Sequence, residues 1–211
     1  MNIDRRMFLK FGSGAVLMSV AAFNFGCSMK SLVDEDKKVA LIYATRYGST
    51  KDTAQWIAKG LDRSVDLLNI EDIDLKETEK SYDLFILGSG IWVDGVHKKM
   101  LSLLKLNYFH DKVMASFIVC GTTDSSVQGK KRIEQYFTKF HSSLSIKPAL
   151  NQHFGGRMII DKLNKRDRVM LENFYKNVIK VDFVDWDRTE PEKALAFGKK
   201  GHKFIFDKYK S

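Results

Sequence analysis

The stretch Val39-Ala40-Leu41-Ile42-Tyr43-Ala44-Thr45-Arg46-Tyr47-Gly48-Ser49-Thr50 decides the fold. Its first six residues are apolar without a break and rich in strand formers. That is the pattern of a strand buried on both faces of a parallel sheet. The next six are hydroxyl-rich and contain one glycine. Beyond them Ala54, Ile57, Ala58 and Leu61 stand at i, i+3, i+4 and i+7, one apolar face of a helix. A buried strand thus enters a tight polar turn and leaves it as an amphipathic helix.

The same alternation continues along the chain. Further strands are predicted over residues 65–70, 83–88 and Val113–Cys120, with a last one inside 148–158. Helices are predicted over 98–105, 130–140, 166–180 and 190–209. In the third of these, Val169, Met170, Phe174 and Val178 are expected to face inward. Alternating strands and helices make a parallel sheet with helices on both faces the economical topology. Ligands of such sheets lie beyond the carboxyl ends of the strands, where the strand order reverses. That rule selects the loops after Ala44, Leu87 and Cys120.

The first loop, Thr45 to Thr50, carries the strongest chemistry. The hydroxyls of Thr45, Ser49 and Thr50 can donate to phosphate oxygens, and Gly48 lets backbone N–H groups converge. The helix start behind it adds unpaired N–H groups and a positive dipole end. The competing reading is a βα turn with an ordinary hydroxyl cap. Neither Gly-Lys-Ser/Thr nor G-x-G-x-x-G occurs there, which disfavours triphosphate hydrolysis and a dinucleotide site of that type.

The second loop runs from Gly88 through Ser89, Gly90, Ile91 and Trp92 to Gly95. Its glycines permit close approach of backbone to a flat ring, and Trp92 is either a stacking platform or a plug at the sheet edge. The third loop begins Gly121-Thr122-Thr123 and either flanks the same ring or is a plain turn. His97 is a proton-shuttle candidate or a solvated helix-start residue.

The formal net charge is +9, of which residues 1–27 carry +2, leaving +7 for the remainder. That favours an anionic partner, a phosphate ligand or an anionic membrane surface. Basic and acidic residues interleave and no nucleic-acid motif appears, so nucleic acid is not expected. Two cysteines, Cys27 and Cys120, are too few for a disulfide scaffold.

Residues 1–27 read as an export leader. Arg5-Arg6-Met7-Phe8-Leu9-Lys10 resembles a twin-arginine signal, and a Gly/Ser-dotted apolar run too short to span a membrane follows it. Cys27 after Gly26 resembles a lipoprotein cleavage site. The expected organisation is a leader over 1–27, a linker over 28–37 and one domain over 38–211. The expected location is the periplasm or the outer face of the cytoplasmic membrane, with Cys27 as a lipid anchor in the acylated form.

The segment Ile42 to Thr50, with its helix to Leu61, resembles the FMN phosphate loop of flavodoxins. More narrowly it is similar to that of menaquinone-dependent protoporphyrinogen IX dehydrogenases, which have a Thr-Arg-x-Gly-x-Thr loop. Gly88 to Leu104, Phe154-Gly155-Gly156-Arg157 with its following basic helix, and Val184-Asp185-Trp186 look similar in the same order. The resemblance implies an α/β flavodoxin-like three-layer sandwich, with a five-stranded parallel sheet in order 2-1-3-4-5. It implies FMN held by Thr45, Arg46, Tyr47, Gly48, Ser49, Thr50, Ser89, Gly90, Ile91, Trp92, Gly121, Thr122 and Thr123. It also implies oxidation of a protoporphyrinogen-like donor and electron transfer to quinone. Export and the loosely matched Lys162–Lys180 stretch depart from that family. A flavodoxin-type electron carrier is the alternative, against which a +7 domain weighs, since typical carriers are acidic. A flavin-free partner-binding domain is the third reading.

Overall fold

The computed structural model describes residues 37–209 apart from 94, 107, 108 and 110. The leader and all but the last residue of the linker lie outside the described residues. Among those described, no helix is long and apolar enough to cross a membrane.

Strand β1 (Val39–Ala44) is buried along its whole length. Ala40, Ile42 and Ala44 enter one apolar core, and Val39, Leu41 and Tyr43 enter the other. A strand with alternate residues in two cores must be apolar throughout, which is why the run has no polar interruption. Strands β2 (Asp66–Asn69), β3 (Leu84–Trp92), β5 (Val113–Cys120) and β6 (Leu150–Gly155) complete a parallel sheet in the order β2-β1-β3-β5-β6. Strand β4 (Gly95–Val96) pairs antiparallel with the end of β3. Counting only the parallel strands, this is the 2-1-3-4-5 order of the α/β flavodoxin-like sandwich.

Helices α1 (Ser49–Gly60) and α6 (Pro191–Tyr209) cover one face, and Gly60 and Gly198 bring them together. A Cβ on Gly60 would stand 2.1 Å from the Leu195 carbonyl oxygen, and one on Gly198 2.2 Å from that of Ile57. On the other face, Met100 and Leu103 of α3 (Lys98–Leu103) pack with Ile133, Tyr136 and Phe140 of α4 (Val127–Phe140). Leu75 of α2 (Leu75–Ser81) joins the edge of that core.

The chain reverses direction across the sheet between β1 and β3, so their carboxyl ends form the switch point. Between β6 and α6 the chain leaves the sheet. A two-stranded antiparallel ribbon, β7 (Arg157–Met158) with β8 (Trp186–Asp187), brackets α5 (Lys165–Phe174) and a π-helical turn at Tyr175–Ile179.

Two expectations are corrected. The second loop is not a loop up to Trp92: β3 continues through Ser89, Gly90, Ile91 and Trp92 and turns into β4, with Val93 at φ 47. β5 supports that extension by pairing with Gly88, Ser89 and Gly90. The helix expected over 166–180 is present but passes from α to π geometry after Phe174, and Val169 and Val178 are 53% and 64% exposed rather than inward. No α5 residue belongs to either core, because α5 lies outside the sheet's helical layers.

Candidate functional site

The turn between β1 and α1 is shaped by two local features. Gly48 takes φ 95, a left-handed conformation costly for a residue with a Cβ. Its N–H donates to Thr45 Oγ1 at 3.0 Å, which closes the turn from inside. Gly48 is also the N-cap of α1 and supplies no side-chain cap. Helices α4 and α5 differ: Ser126 caps α4 and Asn164 caps α5. The first-turn N–H groups of α1 are therefore left by the protein for an outside acceptor, with Ser49 and Thr50 hydroxyls beside them.

The surroundings hold that turn in place. Thr50 is buried, and a Cβ on Gly90 would lie 2.9 Å from Thr50 Oγ1, so the missing side chain on β3 lets α1 start against the sheet edge. Gly88 has a different purpose. A Cβ there would fall 2.0 Å from the Phe117 ring, so this glycine makes room for the core. Ser49 Oγ accepts from the Arg157 N–H at 3.2 Å, tying β7 to the start of α1. The Arg157 guanidinium pairs with Asp52 and stands 3.8 Å from where a Gly48 Cβ would be.

Arg46 points to another partner. Its Nε and Nη2 donate to the two Asp167 oxygens at 2.6 and 2.7 Å. Tyr47 OH and Asn164 Nδ2 donate to the same carboxylate. Asp167 is 2% exposed. Burial pushes its carboxyl up, but the hydrogen bonds from Arg46 and Tyr47 outweigh that and leave it below the usual carboxylate range. The same bond to Asp167 raises the Arg46 pKa. Arg46 thus anchors α5 to the turn.

Aromatic groups line the rest. The Arg46 guanidinium lies 4.7 Å from the Trp92 ring centre, and Tyr47 meets Trp92 at 5.5 Å, tilted by 48°. Past β5, the Trp186 ring comes within 3.1 Å of a Cβ placed on Gly121, which makes Gly121 a seat for that ring. Trp186 Nε1 donates to Tyr175 OH at 2.7 Å. Arg188 lies over the Trp186 ring at 5.0 Å and donates to the Gly121 carbonyl at 2.8 Å. The Cys120 thiol, buried at the strand end, is pushed up to about 11 by desolvation, which disfavours the thiolate.

One cavity of about 1620 Å³ joins these groups. Of the residues expected from sequence, Thr45, Arg46, Tyr47, Ser49, Thr50, Gly90, Ile91, Trp92, Gly121 and Thr122 line it. Gly48 shapes the turn without lining the cavity. Ser89 is fully buried, and its hydroxyl accepts from the His97 N–H at 3.1 Å and donates to the Gly90 carbonyl. Its side chain supports the β3–β4 hairpin rather than facing a ligand. Thr123 lies off the cavity, with its hydroxyl 2.8 Å from that of Ser125. His97 lines the cavity and stands 3.3 Å from Glu71.

Sequence reasoning gave no role to Arg157, Asp167, Tyr175 or Arg188. Arg157 and Trp186 sit in stretches noted for family likeness, but nothing local marked them as site residues. Their positions depend on the β7–β8 pairing, which two-residue strands do not announce.

An α/β sheet with an uncapped anion cradle at its switch point, beside aromatic rings, defines a protein that binds a phosphorylated planar cofactor. The chain matches the flavodoxin domain family model over residues 40–182 and belongs to that family. None of the curated proteins compared matches it. Among solved structures, a short-chain flavodoxin associated with a non-canonical PDU bacterial microcompartment is similar at 10% identity and TM-score 0.51. That match covers 82% of this chain and 99% of the other. Flavodoxin 2 from Bacillus cereus is similar at 18% identity and TM-score 0.45, covering 82% and 99%. The flavodoxin, WrbA-like protein from Agrobacterium tumefaciens stands at 16% and 0.45, covering 81% and 98%. At these identities the likeness is one of fold. Family membership makes the cofactor FMN and the chemistry redox. The turn fits its phosphate, because the α1 donors have no side-chain acceptor of their own.

Proposed function

We propose that this chain is an FMN-dependent oxidoreductase that takes electrons from a reduced, protoporphyrinogen-like donor and passes them to a quinone at a membrane surface. The observation that carries this reading is the size of the site. Ligand pockets ordinarily hold roughly 300–1000 Å³, and this cavity of about 1620 Å³ runs on past the aromatic walls to Met170, Leu171 and Phe174 of α5. A second organic molecule can enter beside the cofactor. A simple carrier needs no such space.

In this reading the α1 N–H groups, Ser49, Thr50 and the Gly48 turn receive the phosphate. Trp92 and Tyr47, with the Gly90–Ile91 and Gly121–Thr122 backbone, line the space that would hold the ring. FMN supplies hydride or single-electron transfer at its ring. The protein supplies position and exclusion of water: Arg46 and Asp167 hold Trp92 and α5 in register over the cavity. The Arg5-Arg6 leader supports export, and the +7 remainder supports contact with anionic lipid.

The test has two arms. Purified protein titrated with FMN quenches flavin fluorescence, and the double variant Thr45→Ala with Thr50→Ala weakens binding at least tenfold. Steady-state assay with reduced tetrapyrrole and a soluble quinone then gives turnover. FMN binding with no turnover, but with reduction by a flavodoxin reductase, would replace the enzyme reading with that of a carrier.

A further inference from the structure

We infer that Arg157, not Arg46, is the counter-ion of the cofactor phosphate, and that Asp52 holds its guanidinium ready beside the turn. The inference rests on the phosphate site proposed above. A dianionic phosphoryl group in a half-buried cradle gains most from a guanidinium, which binds phosphate oxygens in pairs. The turn itself contains one arginine. Arg46 is committed elsewhere: its Nε–Nη2 edge is on Asp167, and its flat face is on Trp92. Turning it to a phosphate would leave Asp167, 2% exposed, without its main cation.

Arg157 has the opposite situation. Its backbone is fixed to the cradle, since its N–H donates to Ser49 Oγ at 3.2 Å. Its Nη2 lies 3.8 Å from the side-chain position that Gly48 leaves empty. The side chain lines the cavity, is 24% exposed and is held there by Asp52, so its guanidinium already faces the space a phosphate would enter. Two carboxylates face it. Asp52, in the first turn of α1, pairs with it directly. Asp187, its β8 partner, has Oδ1 occupied by the Thr189 N–H and hydroxyl at 2.8 and 2.6 Å. Asp52 is therefore the group a phosphate must displace. Glycine at 48 serves both ends of the contact, giving the turn its φ and leaving the guanidinium a path to the anion.

Riboflavin, which has the ring but no phosphate, is the control. Dissociation constants of FMN and riboflavin are measured by fluorescence quenching for the wild-type full chain and for Arg157→Met, Arg157→Lys and Asp52→Asn. Arg157→Met is expected to weaken FMN at least tenfold and leave riboflavin within twofold. Arg157→Lys should fall between, and Asp52→Asn should tighten FMN two- to tenfold. An Arg157→Met variant that binds FMN within twofold of wild type, or loses FMN and riboflavin alike, overturns the assignment. Unchanged FMN affinity in the Thr45→Ala, Thr50→Ala variant would instead sink the phosphate site itself, a separate result.

Discussion

Ser116 and His141, both buried, form a hydrogen-bonded chain that ends on the exposed Asn151. Asn151 Nδ2 donates to the Pro148 carbonyl at 2.9 Å, which fixes Asn151 Oδ1 as an acceptor for Ser116 Oγ at 2.7 Å. The Ser116 oxygen must then accept from His141 Nε2 at 2.8 Å, which puts a proton on Nε2. Burial lowers the His141 pKa from 6.5 to about 4, helped by Lys147. In the unfolded chain the ring titrates near 6.5. Between these values the unfolded state binds the proton and the folded state does not, so stability falls as pH drops from about 6.5 to 4 and levels off below. The loss amounts to at most roughly 3 kcal/mol. Urea unfolding at pH 7.0, 5.5 and 4.5 is expected to show it. His141→Gln keeps a donor toward Ser116 and should flatten that part of the profile, while costing about 1–2 kcal/mol at pH 7. Equal pH slopes in both proteins would contradict the neutral ring. Residue-scale chemistry of this kind was only partly legible in the sequence. The hydroxyls and glycine of the first loop announced themselves, because local geometry gives them their role. Ser89 and Gly88 misled, since a strand-end Gly-Ser-Gly reads the same whether it faces a ligand or the Phe117 ring.

At the scale of elements, α1 and α5 show how an apolar helix face meets different surroundings. The apolar face of α1 is matched by a sheet directly beneath it, so period alone placed Ala54, Ile57 and Leu61 inward. In α5 the same spacing has no sheet beneath it. Met170, Leu171 and Phe174 face the cavity, and Val169 faces solvent. Periodicity gives a stripe, and tertiary context decides what the stripe meets. What holds α5 is the Asp167 carboxylate with its bonds to Arg46, Tyr47 and Asn164. Asp167→Ala removes them together and leaves Arg46, already half exposed, to water. The expected effect is local opening of residues 160–185, made easier by roughly 2–3 kcal/mol. Hydrogen exchange should show faster amides there, with β1, β3 and β5 unchanged. Loss of protection spread through the sheet, or none in α5, would mean that the carboxylate is not the latch.

For the molecule as a whole, the parallel sheet was legible because three strands buried on both faces leave few alternatives. The β7–β8 ribbon was not, being set by pairing of residues 28 and 30 positions apart. That excursion gives the surface its asymmetry. From Lys162 to Lys180 it carries six basic residues against Glu172 and the latched Asp167. Val169, Val178, Ile179, Val181 and Val184 stand 41–64% exposed on and just beyond it. Exposed aliphatics among cations suit the interface of an anionic bilayer, where each basic residue contributes about 1 kcal/mol and falls away with salt. Ile179, Val181 and Val184 also line the cavity, so the same face would open the site toward lipid-borne substrates. Sedimentation with vesicles containing 30% phosphatidylserine should therefore capture the protein at low salt, and neutral vesicles should capture much less. Val178→Asp with Val181→Asp, compared in the same full-length background so that any contribution of residues 1–27 cancels, is expected to lower the partition coefficient at least fivefold. Partition insensitive to both lipid charge and the double substitution would leave this face without a membrane role, and the quinone side of the proposed reaction would then require a soluble acceptor.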